Sequence, residues 1–124
     1  MKKKLIKETT KHFEKQFHNK PEAVFLSPGR INIIGEHVDY NDGFVLPAAI
    51  NKYICFAVST NDTGVCTIVA KDLNDAYKFH SNDALVPADK MWVNYILGVL
   101  HQLKSKGFPK KGFDIVFSSS IPMG

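Results

Sequence analysis

Ser27-Pro28-Gly29-Arg30-Ile31-Asn32-Ile33-Ile34-Gly35-Glu36-His37-Val38-Asp39-Tyr40-Asn41-Asp42-Gly43-Phe44-Val45-Leu46-Pro47 is the stretch that decides how the chain is read. It packs Arg30, Glu36, His37, Asp39 and Tyr40 between three glycines, and it sets them beside the apolar run Ile31, Ile33 and Ile34. That run predicts a buried strand, so the ionisable residues after it are expected to ride on rigid backbone. Gly29, Gly35 and Gly43 permit sharp turns or the close approach of a ligand, since they carry no Cβ. A carboxylate, an imidazole and a second carboxylate after a glycine turn suit a polyol. Carboxylates accept, and a neutral imidazole both donates and accepts, which matches hydroxyl chemistry.

Working outward, Leu5, Thr9, Phe13 and Phe17 recur every fourth residue and predict a helix over 3–18, closed by Pro21. Ala23-Val24-Phe25-Leu26 reads as a first short strand leading into Ser27-Pro28-Gly29. Residues 52–59 and 65–70 read as the two arms of a hairpin around Asn61-Asp62-Thr63-Gly64. Residues 76–80 alternate and give a further strand. Asp89 is placed to cap a helix over 90–106 that Gly107 ends, and residues 112–118 form the last strand. The expected class is α+β: a mixed sheet covered by two helices. Neither a repeat nor a linker divides the 124 residues, which suit one domain with a modest core.

The net charge of +4 sits at one end. Lys2, Lys3, Lys4, Lys7, Lys11 and Lys15 against Glu8 and Glu14 account for all of it, and the other ten basic and ten acidic residues cancel. A basic tip suits nucleic acid or anionic lipid, but no aromatic residues interleave with the lysines, so the solvated face of a surface helix is the expectation. Neither nucleic acid nor membrane is expected as a partner. No apolar run is long enough for a span and no signal peptide is recognisable, which leads to a cytoplasmic expectation. In the hairpin register Cys55 and Cys66 lie on the order of 13 Å apart, too far for a bridge, and both are expected as reduced core thiols.

Each candidate residue has a plain reading beside a chemical one. Arg30 after Pro-Gly suits a surface charge or a ligand-facing cation. Glu36, His37 and Asp39 resemble a metal cluster in composition, but no matching fourth ligand is evident. Trp92, at helical spacing with Tyr95, Ile96 and Val99, suits a core position. Asn32 and Gly35 suit the shaping of a turn. His12, His18, His80 and His101 lack metal-ligand spacing and read as structural or solvent-facing.

The pattern Gly-Arg-x-Asn-x-Ile-Gly-Glu-His-x-Asp-Tyr-x-x-Gly-x-x-Leu-Pro over residues 29–47 resembles, without a gap, the N-terminal signature of the galactokinases, within the GHMP family of small-molecule kinases. The resemblance is strongest over residues 27–50 and implies the ribosomal-protein-S5-like N-terminal domain of GHMP kinases. It implies that Arg30 lies beside the anomeric oxygen and the catalytic carboxylate, and that Glu36, His37 and Asp39 bind sugar hydroxyls. Tyr40 is expected as their neighbour. The segment Trp92-Val93-Asn94-Tyr95 is similar to one that lies near the adenine pocket, which makes Trp92 a candidate nucleotide contact. Pro122, Met123 and Gly124 match the first three positions of the family's phosphate-binding loop, so Gly124 is a candidate phosphate contact.

The resemblance therefore implies an ATP-dependent phosphorylation of galactose at its anomeric hydroxyl, with Mg²⁺ bridging the ATP phosphates. The catalytic Asp and the Mg²⁺ ligands are expected beyond residue 124. Residues 1–124 then read as an incomplete N-terminal sugar- and ATP-binding domain, inactive alone and prone to self-associate, of an enzyme expected to be a monomer. Two alternatives remain open at this point. One is a kinase for another sugar, such as N-acetylgalactosamine, arabinose or galacturonate. The other is a non-catalytic sugar-sensing regulator on the same scaffold.

Overall fold

The structure, a computed structural model, describes residues 2–35 and 41–122. Its elements are α1 (Lys2–Phe17), β1 (Ala23–Ile34), β2 (Leu46–Thr60), β3 (Val65–Ala70), a 3-10 turn (Lys71–Leu73), β4 (Asp75–His80), α2 (Met91–Lys104) and β5 (Phe113–Ser119). The five strands form one mixed sheet in the order β1-β2-β5-β3-β4. Only β3 and β5 run parallel; the other three pairs are antiparallel. The α+β expectation holds.

The expected hairpin between residues 52–59 and 65–70 does not form. β5 enters between β2 and β3 and pairs with both, Ala57 with Val116 and Val69 with Val116. The Asn61–Gly64 turn chemistry is real: Asn61 Oδ1 accepts from Thr63 N–H at 3.1 Å, and Gly64 has φ +76. What the turn joins, though, is two strands with room for a third. Asn61 Nδ2 reaches across that gap to Asp114 Oδ1 at 3.1 Å, and burial raises the Asp114 carboxyl above the usual range. Cys55 and Cys66 are indeed free and buried, but for another reason. They stand two strands apart and, by the registers of β5 with β2 and β3, about five residues apart along the sheet, so roughly 19 Å separates them. Burial raises both thiols above their ordinary value.

The alternation of β5 sends successive residues to opposite faces. Val116 joins Phe13, Ala57 and Val69 in a buried cluster under α1, with Phe17 packed on it. Thr9 is fully buried here. Its hydroxyl donates to Leu5 O at 2.7 Å, so the 2.5 Å bond to Ser118 Oγ has Ser118 as donor. On the other face Phe117 meets the Trp92 ring at 5.8 Å, which places the start of α2 there. The two helices thus cover opposite faces. Burying a side chain such as Phe13 contributes about 2–3 kcal/mol.

Helix α1 ends as expected, with His18 in the left-handed region and its N–H on Glu14 O at 2.9 Å, three residues before Pro21. Its lysines are exposed, and Lys2 Nζ sits 4.9 Å above the Tyr53 ring. Asp89, in contrast, does not cap α2. The N-cap is Lys90, which makes no side-chain cap bond. Asn94 instead ties the preceding segment to the helix: Ala88 N–H donates to its Oδ1 at 2.7 Å and its Nδ2 donates to Ala88 O at 2.9 Å. Gly107 closes the far end with φ +84, while Gly107 N–H and Phe108 N–H donate to Lys104 O and Leu103 O.

Candidate functional site

Two expected strands separated by a Pro-Gly break are in fact one strand. β1 runs unbroken through Ser27-Pro28-Gly29, with a register shift between Pro28, opposite Tyr53, and Arg30, opposite Ala49. An edge strand tolerates Pro28, because a missing N–H on the outer side costs no ladder bond. The irregularity bends the strand at Gly29, which is buried against Ile121 and Ile50. A Cβ there would come within 3.0 Å of Ile121 Cδ1 and 3.2 Å of Ile50 Cδ1. The bend therefore brings the strand that carries Arg30 against the segment that follows β5.

Arg30 is exposed, and among the described residues no carboxylate lies within ion-pairing distance of it. A guanidinium in this state presents a planar fork of donors to an anionic or polyhydroxyl ligand. The strand beyond it is not buried as the apolar run predicts. Ile31, Ile33 and Ile34 are 51%, 59% and 64% exposed, and Phe44 in the returning segment is 96% exposed. Helix α1 lies over β2 and β5, and this half of the β1–β2 pair stands outside that cover. At its tip Gly35 has φ +93, and a Cβ on it would overlap the Phe44 carbonyl oxygen and come within 2.9 Å of Val45 Cα. Gly35 therefore shapes the turn, as its position suggests. Glu36, His37, Asp39 and Tyr40 lie outside the described residues, as do Met123 and Gly124.

Trp92 is half-buried in the first turn of α2, well away in sequence from the β1–β2 arm. Its indole N–H donates to Asp75 Oδ2 at 3.0 Å, and Lys90 Nζ donates to Asp75 Oδ1 at 2.6 Å. Those two donors, Lys90 foremost, hold the Asp75 carboxyl below the usual aspartate range. Phe117, against the Trp92 ring, also lines an apolar cleft of about 240 Å³ with Ala70, Asp72, Leu73, Ser119 and Ile121. Asp72 Oδ2 accepts from Ser119 N–H at 2.6 Å, and Ser120 pairs with Tyr53 through its own N–H and hydroxyl. The exit from β5 is thus held from both sides. Reading the sequence missed Asp72 and Asp75, because their partners are brought together only by β5 and α2.

Trp92 does not line that cleft itself; Phe117 links the two. No cluster of three His, Cys, Asp or Glu suited to a metal exists among the described residues. None of the described helices is long and apolar enough to cross a membrane. A second open cleft of about 720 Å³ lies beside His12, Lys15, Asn74 and Asp75, and no residue of the 27–47 stretch lines it. Burial, with Lys71 and Lys15 nearby, lowers the His12 pKa.

Residues 11–60 match the family model described as the galactokinase galactose-binding signature. The galactokinase of Roseiflexus sp. (strain RS-1) is 37% identical over 117 residues, which cover 94% of this chain and 30% of that protein. The galactokinase of Haemophilus influenzae (strain PittEE) is 36% identical over 113 residues, 90% of this chain and 29% of that protein. The chain therefore spans about 30% of the length of the curated relatives it matches. Among solved structures, Lactococcus lactis galactokinase complexed with galactose superposes with TM-score 0.79 at 31% identity, over 94% of this chain and 31% of that one. Methanococcus jannaschii mevalonate kinase shares the fold, with TM-score 0.68 at 21% identity, over 82% of this chain and 33% of that one.

Proposed function

We propose that this chain belongs to the galactokinase family and is the galactose-recognising part of an ATP-dependent kinase that phosphorylates galactose at its anomeric hydroxyl. The observation that carries the reading is the match of the galactose-binding signature to the β1–β2 arm and its approach, residues 11–60. In this reading Glu36, His37 and Asp39 hold the sugar's hydroxyls, carboxylates accepting and imidazole donating or accepting as needed. Arg30 stands at the anomeric end. A fixed guanidinium there keeps a neighbouring carboxylate ionised and offsets charge on the transferring phosphoryl group.

The nucleotide falls to the other side of the bend at Gly29. Trp92 contacts the base, and Gly124 opens the loop that offers backbone N–H donors to phosphate. ATP supplies the phosphoryl group, and Mg²⁺, with ligands from beyond residue 124, neutralises the phosphates. The protein's contribution is positioning: sugar on the arm, nucleotide against α2 and the end of β5, the two meeting where Ile121 touches Gly29. The enzyme is read as cytoplasmic.

The test is galactose binding and turnover by the whole protein and its Asp39→Ala variant, with galactose and its C4 epimer as substrates. Loss of one hydrogen-bond partner costs about 1–3 kcal/mol, so Asp39→Ala should narrow the preference for galactose. Equal losses for both epimers make Asp39 structural. Absence of galactose-dependent ADP release by the whole protein overturns the reading.

A further inference from the structure

Asp75 opens β4 at the point where that strand passes beneath the start of α2. Its carboxylate takes three donors: Lys90 Nζ at 2.6 Å, the Trp92 indole N–H at 3.0 Å and Ala76 N–H at 2.9 Å. Both side-chain donors come from the first turn of α2 or the residue before it. The Asn94–Ala88 pair fastens the backbone of that turn, but it does not touch the indole. Two contacts that the structure does record on the indole are the Asp75 carboxylate and the Phe117 ring, at 3.0 Å and 5.8 Å. One fixes the edge of the ring and the other fixes its tilt, at 59° to Phe117.

We propose that Asp75 is a positioning residue for nucleotide binding, which holds the Trp92 indole in the plane it presents to the base of a nucleoside triphosphate. The proposal rests on reading Trp92 as a nucleotide contact. An indole free to turn about its side-chain torsions must be ordered when a base stacks on it, and that ordering weakens binding. A tether through the ring N–H removes the cost beforehand without itself occupying a π face. Lys90 completes the device by keeping the Asp75 carboxyl ionised and turned toward α2.

Trp92 is the one tryptophan of these 124 residues, and the difference in emission between the whole protein and its Trp92→Leu variant isolates its signal. In the whole protein, ATP and galactose affinities are measured by calorimetry for Asp75→Ala, Asp75→Asn and Trp92→Leu. Asp75→Ala is expected to weaken ATP binding about tenfold, to leave galactose affinity within about twofold, and to shift Trp92 emission. Asp75→Asn keeps an acceptor for the indole and is expected to recover most of the loss. If Trp92→Leu weakens ATP binding and Asp75→Ala does not, the tether is idle and the proposal falls alone. If Trp92→Leu leaves ATP binding unchanged, the nucleotide-contact reading falls and the proposal with it. Equal loss of both ligands in Asp75→Ala makes the contact merely structural and overturns the proposal as well.

Discussion

Gly29 lies so close to Ile121 that a Cβ on the glycine would come within 3.0 Å of the isoleucine Cδ1. The contact joins the bend of β1 to the segment after β5, two parts of the chain that sequence order keeps far apart.

Gly29→Ala should therefore destabilise the domain modestly, by about 1–2 kcal/mol, because Ile121 and Ile50 meet the new methyl with side-chain tips that can shift. Gly35→Ala should cost more, about 2 kcal/mol or above. It faces backbone rather than side chain, and its φ of +93 strains any L-residue. Urea denaturation of both variants checks the order; a larger loss at Gly29 would contradict the geometry.

Thr9 and Ser118 form the polar centre of the α1 interface, both buried. Thr9→Val keeps the shape but leaves the Ser118 hydroxyl without its acceptor, at a cost of about 1–3 kcal/mol. Thr9→Val with Ser118→Ala should regain part of that loss, since no buried hydroxyl is then orphaned. Strict additivity in the double-mutant cycle would mean the two hydroxyls are not coupled.

Glu22 ties the start of β1 to the end of β2, its Oε1 accepting from Ser59 Oγ, Thr60 N–H and Thr60 Oγ1 at 2.8–2.9 Å. The Thr60 bonds chiefly, with Ser59, hold its carboxyl below the usual glutamate range. A carboxylate depressed in the folded state binds fewer protons there than in the unfolded chain. Its contribution is thus complete above the ordinary glutamate value and is lost as pH falls through the depressed one. Stability measured from neutral pH downward should fall more steeply in the wild type than in Glu22→Gln. Parallel profiles would show that the network adds nothing.

Arg30→Lys in the whole protein should lower kcat far more than it raises KM for galactose. Lysine keeps the charge but loses the planar fork that engages two oxygens at once. A loss confined to kcat marks an interaction made in the transition state, whereas a rise in KM alone marks ground-state sugar binding. Steady-state kinetics separates these, and a silent substitution would leave Arg30 a surface charge.

The sequence by itself determined the local elements and the resemblance to the galactokinases. Leu5, Thr9 and Phe13 at helical spacing marked the buried face of α1, and Gly107 marked the end of α2, because both signals are carried by neighbours along the chain. The signature over residues 29–47 was legible for the same reason: it is contiguous.

Tertiary structure decided what depends on partners distant in sequence. Turn chemistry at Asn61–Gly64 cannot tell a hairpin from two strands that a later one separates, so β5 between β2 and β3 was hidden. The run Ile31, Ile33 and Ile34 is apolar whether or not anything covers it, and only the placement of α1 over β2 and β5 shows it exposed here. Asp72 on Ser119, and Asp75 on Lys90 and Trp92, carry no mark in the sequence. A carboxylate's role is set by the donors that folding brings to it, and those come from other elements.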